Sequence, residues 1–310
     1  MVRIRHYAPQ SDLPALARLL TEIESIDRDG EDTSEEYLRA MLGWKDFRPE
    51  LDAWVAEADG KLIGYAAAFG QPSQRCTVYS VVHPSRRRKG LGGQLLELTL
   101  ARARQFGSKT ILVYANERNT ASNQFLKHLG FVPVGTSGTM EAPASIEVFP
   151  FEFPKGFLLN RYAEVKDTSI LLAALNECYR GMWGHQHNDK PTAEDLQSPG
   201  FLRHYVAEDI LLLFDPGNAV SGICSLKAEG RRDQNDNPLD LLDAPGVIRK
   251  YREEVYQRQL VLAGIEHLRR RGRRPIRLEF WGEAENALEI YRAIGFEMTN
   301  RLVTYHKELE

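Results

Sequence analysis

The sequence predicts a mixed α/β protein built from two tandem copies of one domain. Three observations support this prediction. The 310 residues suffice for two domains of ordinary size. Strand and helix patterns follow one order in the first half of the chain and return in that order in the second half. A Gly-Phe pair at residues 130–131 recurs at residues 295–296, 165 residues later, which indicates an internal duplication.

In the first half, apolar spacing and turn residues define the predicted elements. Leucines recur at helical spacing between residues 13 and 23. Thr33-Ser-Glu-Glu36 has the pattern of a capping box and predicts the start of a second helix. Asp59-Gly60 is typical of a hairpin turn, and Gly130 is typical of a helix end. The predicted elements are a strand within 1–10, helices 13–23 and 33–41, strands 53–57, 61–69 and 76–82, helix 91–106, strand 110–115, helix 121–129 and strand 131–134.

The second half repeats this order after a connection over 137–156, which contains two glycines and three prolines. The predicted elements are strand 157–162, helices 167–180 and 192–204, strands 210–214 and 220–227, a strand within 239–248, helix 251–271, strand 275–281, helix 284–294 and a last strand from 295. The predicted domains are therefore residues 1–145 and 157–310, joined by a linker over 146–156.

Composition and charge argue against several classes of protein. The chain has 40 Lys and Arg against 43 Asp and Glu, so it lacks the basic excess of a non-specific nucleic-acid binder. The longest plain apolar run, 210–214, is far shorter than the roughly 20 residues of a membrane span. Cys76, Cys178 and Cys224 are widely spaced, which favours reduced thiols in a cytoplasmic protein over disulfides or a metal site.

The strongest local signal is the loop between the strand ending at Val82 and the long helix that follows. It reads Val82-His-Pro-Ser-Arg-Arg-Arg-Lys-Gly90-Leu-Gly-Gly93. Glycines allow a tight turn and a close approach of the backbone to a ligand, and free amides at a helix start receive phosphate oxygens. The loop therefore predicts a phosphate or diphosphate ligand, and the alternative is a solvated basic turn. Neither common nucleotide-binding pattern, GxxxxGK[ST] or GxGxxG after a first strand, is present.

The pattern Arg87-x-x-Gly90-x-Gly92 after this strand resembles the acetyl-CoA loop of the GNAT acetyltransferase family. Asn119-x-x-Ser122, followed by the Gly-Phe pair, is similar to the last helix of that family. Through the repeat, the resemblance extends to the second half, so the chain looks like two tandem GNAT-like domains. It implies an N-acetyltransferase that moves an acetyl group from acetyl-CoA to a primary amine of a small molecule or peptide.

The resemblance also implies which residues bind acetyl-CoA. Pantetheine would lie along the strand that ends at Val82, the diphosphate on the glycine loop, and Asn119 and Ser122 along the pantetheine and adenosine. The expected cofactor-binding residues are Ser80, Val81, Val82, Arg87, Arg88, Lys89, Gly90, Leu91, Gly92, Gly93, Asn119 and Ser122. No metal, nucleic acid or membrane is expected as a partner, and the chain is expected to be a monomer or homodimer.

In the first copy, the positions of the family's usual catalytic residues hold other residue types. Leu126 stands where many members have a tyrosine acid, and Tyr114 stands where many have a glutamate base. A thiol has a pKa of about 8.5, so a thiolate can leave without an acid. Tyr79, Tyr114 and Glu117 are therefore the polar candidates for catalysis in this copy.

The second copy shows the reverse pattern. The offset of 165 residues places Tyr291 and Glu279 at the acid and base positions, while Val255 and Gln257 replace the loop glycines. Side chains in the loop would obstruct a diphosphate, so this copy is expected not to bind CoA in the usual way. Tyr291 could equally be a core residue of a helix, and Glu279 the polar member of an alternating strand.

An acidic segment could recruit the acceptor amine. Eight acidic residues and one basic residue lie between Glu22 and Glu36, a segment that in this fold borders the acceptor cleft, and their charge would favour a cationic amine. The alternative is a solvated helix end with capping acids. Three hypotheses remain open: transfer in the first domain, transfer in the second through Glu279 and Tyr291, or a non-catalytic acyl-CoA sensor or scaffold.

Overall fold

The computed structural model describes residues 2–44, 46–71, 74–182, 191–197, 206–232, 238–252, 255–272, 274–282 and 285–309. In the first half, its elements are β1 Arg3–His6, α1 Leu13–Asp27, α2 Glu35–Leu42, α3 Pro49–Asp52, β2 Ala53–Ala58, β3 Lys61–Gln71, β4 Arg75–Val82, α4 Leu91–Gln105, β5 Thr110–Asn116, α5 Thr120–His128 and β6 Val132–Ala142.

In the second half, the elements are β7 Leu158–Arg161, α6 Tyr162–Val165, α7 Thr168–Glu177, α8 Ala193–Gln197, β8 Ile210–Phe214, β9 Val220–Arg232, β10 Pro238–Asp243, β11 Gly246–Val247, α9 Tyr256–Arg269, β12 Ile276–Trp281, α10 Glu285–Ile294 and β13 Glu297–Glu308. The predicted helix over 192–204 lies partly outside the described residues. No helix within the described ranges is both long and apolar enough to cross a bilayer.

The structure corrects the predicted starts of α2 and α9. Helix α2 is capped by Ser34, whose side chain accepts a hydrogen bond from the amide of Tyr37 at 3.2 Å, so the cap is not Thr33. Helix α9 begins at Tyr256 rather than at residue 251, because Arg249–Tyr251 form a 3-10 turn before it.

Contacts divide the chain into two compact units, called unit 1 and unit 2. Unit 1 comprises Met1–Val134 together with Leu302–Glu310, and unit 2 comprises Gly135–Arg301. The last strand of each half is thus assigned to the other unit for most of its length. The sequence-based boundaries stay a prediction of where the two copies begin and end, and the contact-based units divide the chain differently.

Unit 1 contains a sheet in the order β1-β2-β3-β4-β5, followed by the 302–308 part of β13. Only β4 and β5 run parallel, and β13 pairs antiparallel with the whole of β5. Two apolar layers cover the sheet. Leucines of α4 pack on one face and leucines of α1 pack on the other. The sheet is therefore buried on both faces. Polar residues that bind a ligand are expected at the strand ends and in the loops.

Unit 2 contains the corresponding sheet, in the order β6-β12-β10-β9-β8-β7 with β11 beside β9. Strands β10 and β12 run parallel, as β4 and β5 do in unit 1. Strand β6 pairs antiparallel with β12, as β13 pairs with β5 in unit 1. Helices α9 and α10 cover one face and α7 the other.

A pair of arginines shows the duplication at the level of single atoms. Arg87 donates from Nε to the carbonyl oxygen of Val82 at 2.8 Å. Arg252, which lies 165 residues later, donates from Nε to the carbonyl oxygen of Val247 at 3.2 Å. A 3-10 turn precedes the arginine in each unit. The two loops therefore share one anchoring scheme, although their glycine content differs.

Candidate functional site

The first feature of the site is an opening between two parallel strands of unit 1. The ladder between β4 and β5 runs from Arg75 and Thr110 only as far as Val78 and Val113. Beyond that point, β4 continues to Val82, paired with β3 on its other side. The edge formed by residues 80–82 therefore faces no strand within the described residues. Backbone groups along an open edge can pair with an extended ligand.

The second feature is the loop that leads into α4. Gly90 is the N-cap of α4, with φ of 80°, and no side chain caps the helix. The first amides of a helix lack intrahelical partners, so those of Leu91, Gly92 and Gly93 point out of the helix start. Leu91 itself is a core residue, with 6% of its surface exposed.

Packing does not explain the loop glycines. A Cβ added at Gly90 or Gly93 would meet nothing within 4 Å, and one at Gly92 would have its nearest neighbours at 3.9 Å. Gly90 is required by its positive φ, which strains other residues. The other two leave open space directly over free amides. Space, amides and the dipole of α4 together form a cradle that suits a phosphate.

Three cations of the loop have different environments. The guanidinium of Arg87 pairs with both carboxylate oxygens of Asp27, with 2.9 Å between Nη1 and Oδ1. Its Nε also donates to the carbonyl oxygen of Val82 at the end of β4, so Arg87 stabilises the conformation of the loop. Arg88 and Lys89 are exposed. These two side chains remain available to neutralise an anion in the cradle.

Across the opening, the turn from β5 into α5 is held by asparagines. Asn119 caps α5, and its Oδ1 accepts from the amide of Ser122 at 3.1 Å. Asn116 is buried, and its Oδ1 accepts from the amide of Arg118 at 2.9 Å. Asn119 and Ser122 thus shape this turn, and both stand beside the end of β5.

The acidic segment after α1 folds back toward the end of β4. Its turn is held by Glu24, whose carboxylate accepts from the amides of Asp29 at 3.1 Å and Gly30 at 2.8 Å. This turn brings Glu31 to Tyr79, whose hydroxyl donates to Glu31 Oε2 at 2.6 Å. Sequence reasoning missed Glu31 as an individual candidate, although the acidic segment contained the signal.

Burial raises the pKa of Glu31, against the hydrogen bond from Tyr79, which lowers it. The neighbouring carboxylates, Asp29 first among them, raise it further. Glu31 as a residue is exposed, so its carboxyl is surrounded by protein atoms and yet reachable from solvent. An accessible carboxylate with a raised pKa suits a general base.

The other polar candidates of unit 1 lie around the same opening. Tyr79 and Tyr114 are the next residues on β4 and β5 after the ladder ends. Burial raises the pKa of both hydroxyls, and nearby Arg75 partly counteracts this at Tyr114. Glu117 follows β5 directly and is exposed. Tyr79 and Tyr114 therefore border the opening, and Glu117 lies just after the end of β5.

In unit 2, the residue at the acid position and the residue at the second loop glycine lie in the core. Tyr291 is fully buried, and its hydroxyl accepts a hydrogen bond from Nε2 of Gln257 at 2.8 Å. Gln257 corresponds to the second loop glycine of unit 1. The N-cap of α9, Val255, has φ of −66° in place of the positive φ of Gly90. In unit 2, the Gln257 side chain thus points into the core, whereas the equivalent Gly92 of unit 1 has open space around it.

The strand edge of unit 2 is covered as well. A Cβ on Gly246 would come within 2.7 Å of the ring of Tyr179, so that ring packs directly on the backbone. The Tyr179 hydroxyl donates to the carbonyl oxygen of Ala244 at 3.3 Å. Glu279 lies on β12, where its carbonyl oxygen accepts from the amide of Ala244 at 2.8 Å. The equivalent of the opening in unit 1 is therefore filled by an aromatic side chain.

Residues 14–131 match the acetyltransferase (GNAT) family. A mycothiol acetyltransferase of Thermobispora bispora is 27% identical over 247 residues, which cover 80% of each chain. A GCN5-related N-acetyltransferase from Sphaerobacter thermophilus has a TM-score of 0.78 at 22% identity and covers 99% of this chain and 95% of its own. A tandem GNAT protein from the clavulanic acid pathway has a TM-score of 0.66 at 17% identity and covers 99% and 98%. These likenesses confirm the predicted fold, two GNAT-like domains in tandem.

Proposed function

We propose that this chain is an acetyl-CoA-dependent N-acetyltransferase of the GNAT type, in which unit 1 binds acetyl-CoA and transfers the acetyl group to a primary amine of a small molecule or peptide. The observation that supports this assignment is the open glycine cradle at α4. Its counterpart in unit 2 contains Gln257, bonded to a buried tyrosine.

The residues of unit 1 fit the parts of acetyl-CoA. The amides of residues 91–93, together with Arg88 and Lys89, would hold the diphosphate, since an uncapped helix start attracts anions. The open edge at residues 80–82 would pair with the amide groups of the pantetheine arm. Asn119 and Ser122 would border this arm on the opposite side. The bound co-substrate supplies the acetyl thioester at the opening between β4 and β5.

Glu31 is the residue we assign to proton removal. Its carboxylate would accept the proton of the attacking ammonium, while the Tyr79 hydroxyl orients the carboxylate. The amine nitrogen then forms a bond to the acetyl carbon, the carbon–sulfur bond breaks, and the second proton of the nitrogen leaves to solvent. The departing thiolate needs no acid, because the pKa of a free thiol is about 8.5. Leu126 can therefore stand at the family's acid position without blocking transfer.

The charge around Glu31 indicates a cationic acceptor. Carboxylates of Glu24, Asp27 and Asp29 belong to the same turn, and all three raise the pKa of Glu31 by repulsion. Such a field concentrates cations at the mouth of a site. An amine related to mycothiol belongs among the acceptors to test, because the relative from Thermobispora bispora is named for it.

The test combines calorimetric titration with an assay of CoA release against a panel of amines. We expect one acetyl-CoA site per chain and CoA release with at least one cationic amine. Two equal sites per chain would contradict the assignment to unit 1. Tight binding of acetyl-CoA without release for any amine would instead favour an acyl-CoA sensor.

A further inference from the structure

We propose that Tyr305 is a positioning residue for acetyl-CoA, acting from the last strand of the second copy. The inference rests on the proposed function, since it concerns the same site of unit 1. Tyr305 lies on β13, within the 302–310 segment that belongs to unit 1. Its neighbour across the ladder is Val113 of β5.

The hydroxyl of Tyr305 has a defined partner in the interior of unit 1. Only 1% of the residue surface is exposed, and its hydroxyl donates to Oδ1 of Asn123 at 2.7 Å. A buried hydroxyl with a short, single partner constrains that partner strongly, because rotation would leave both groups without a hydrogen bond.

Asn123 in turn is hydrogen-bonded to the turn between β5 and α5, beside the proposed site. Its Nδ2 donates to the carbonyl oxygens of Asn116 and Asn119, each at 2.8 Å. The two carbonyl oxygens require Nδ2 to face them, because they only accept, and the Tyr305 hydroxyl donates to the Oδ1 on the other side of the amide. One side chain therefore ties the end of β5 to the cap of α5, and Tyr305 keeps that side chain in place.

The same strand also holds the other end of α5. Lys307 donates from Nζ to the carbonyl oxygen of Leu129 at 2.8 Å, where the helix ends. Strand β13 is thus bonded near the start and at the end of α5. Because Asn119 and Ser122 lie in the first turn of α5, their positions depend on a strand that is distant in sequence.

The experiment compares Tyr305→Phe with Tyr7→Phe in the full chain, by titration with acetyl-CoA and by steady-state kinetics. Tyr7 is a matched control, because it is a buried tyrosine of unit 1 whose hydroxyl has no hydrogen-bond partner among the described residues. We expect Tyr305→Phe to raise the Kd and KM for acetyl-CoA by roughly threefold to tenfold, with kcat within about twofold. Tyr7→Phe should change none of these values by as much as twofold.

A second variant covers the case in which Tyr305→Phe does not fold. Asn123→Ser removes the acceptor of the same hydrogen bond and should raise the Kd for acetyl-CoA at least as much. In the double variant, the two changes should be non-additive, because both break one bond. Additive effects, or a Kd for Tyr305→Phe equal to that of Tyr7→Phe, would overturn the inference.

Gly90→Glu separates failure of this inference from failure of the proposed function. If Gly90→Glu abolishes acetyl-CoA binding while Tyr305→Phe leaves it unchanged, only the role of Tyr305 is rejected. If Gly90→Glu leaves binding intact, the site itself is not in unit 1 and the proposed function fails.

Discussion

The two copies keep the same loop anchor and differ in what surrounds it. Arg87 and Arg252 both bind the carbonyl oxygen that ends the preceding strand. In unit 1 the helix then begins at a glycine with open space around it. In unit 2 it begins beside Val255, and Gln257 is buried. We therefore assign the arginine to the scaffold and the glycines to the proposed ligand site.

The position of the family's tyrosine acid also differs between the two copies. Leu126 in unit 1 and Tyr291 in unit 2 are both buried against the sheet, with 5% and 0% of their surface exposed. A tyrosine at this position does not by itself make a catalytic acid. Its hydroxyl needs a route to the site, and in unit 2 that hydroxyl is bonded to Gln257.

The largest effect should come from giving unit 1 the loop residue of unit 2. Gly90→Val places a branched side chain at a φ of 80° and in the space over the helix amides. We expect a roughly thousandfold loss of acetyl-CoA affinity by calorimetry, since the cradle supplies the diphosphate contacts.

Gly107→Val is the matched control for this loss. Gly107 has φ of 70°, has open space around it and follows the other end of α4. It should suffer similar backbone strain without loss of affinity. Equal loss in both variants would assign the effect to folding alone and would break the comparison between the two loops.

The next effect should come from Glu31→Gln. Removing a general base lowers kcat by about a hundredfold, at the low end of the usual range. The carboxylate is the active form, so wild-type activity should rise with pH through a pKa above the ordinary glutamate range. In Glu31→Gln, the rate of CoA release should no longer show this rise with pH. Glu36→Gln, a control in the same acidic segment, should keep the rise of activity with pH.

Tyr291→Phe should affect stability and leave turnover alone. The change removes the acceptor of the Gln257 hydrogen bond in the core of unit 2. We expect a loss of about 1–2 kcal/mol in the free energy of unfolding, measured with denaturant, because a buried amide loses its partner. A kcat reduced tenfold or more at unchanged stability would move the chemistry to unit 2.

The smallest effect should come from Lys89→Gln. This exposed cation would interact with a diphosphate across solvent, so its contribution is modest and is screened by salt. We expect the Kd for acetyl-CoA to rise about threefold at low ionic strength and to converge with the wild-type value near 0.5 M salt. A difference that is independent of salt would indicate a direct, buried contact instead.

Much of the fold could be predicted from the sequence because its signals are local. Helical leucine spacing, the Asp59-Gly60 turn and the glycine loop each depend on a few neighbouring residues, and the structure contains the corresponding elements. The predicted cap of α2 was wrong by one residue, because Thr33 and Ser34 are both good caps and only backbone geometry selects between them.

The rest depends on contacts that no local pattern encodes. Glu31 reaches Tyr79 only because Glu24 folds the intervening turn. Gln257 and Tyr291 are separate loop and helix residues until the fold brings them together. The pattern of β13 is the same whichever sheet the strand joins, so its place in unit 1 required the structure. The ion pair between Arg87 and Asp27 had no sequence signal either, and the expected binding of the cofactor by Arg87 stays a prediction.

The pairing of β5 with β13 also sets the order of folding. Thr110 and Glu308, which meet in this ladder, are 198 residues apart in the chain. During synthesis, unit 1 must wait for the whole second copy before its sheet is complete, and pairings of such high contact order form slowly. Until then, β5 exposes an unpaired edge, the kind of surface that aggregates and that chaperones protect. We therefore expect nascent chains that lack residues 302–309 to be prone to aggregation, although they contain every residue of the proposed acetyl-CoA cradle.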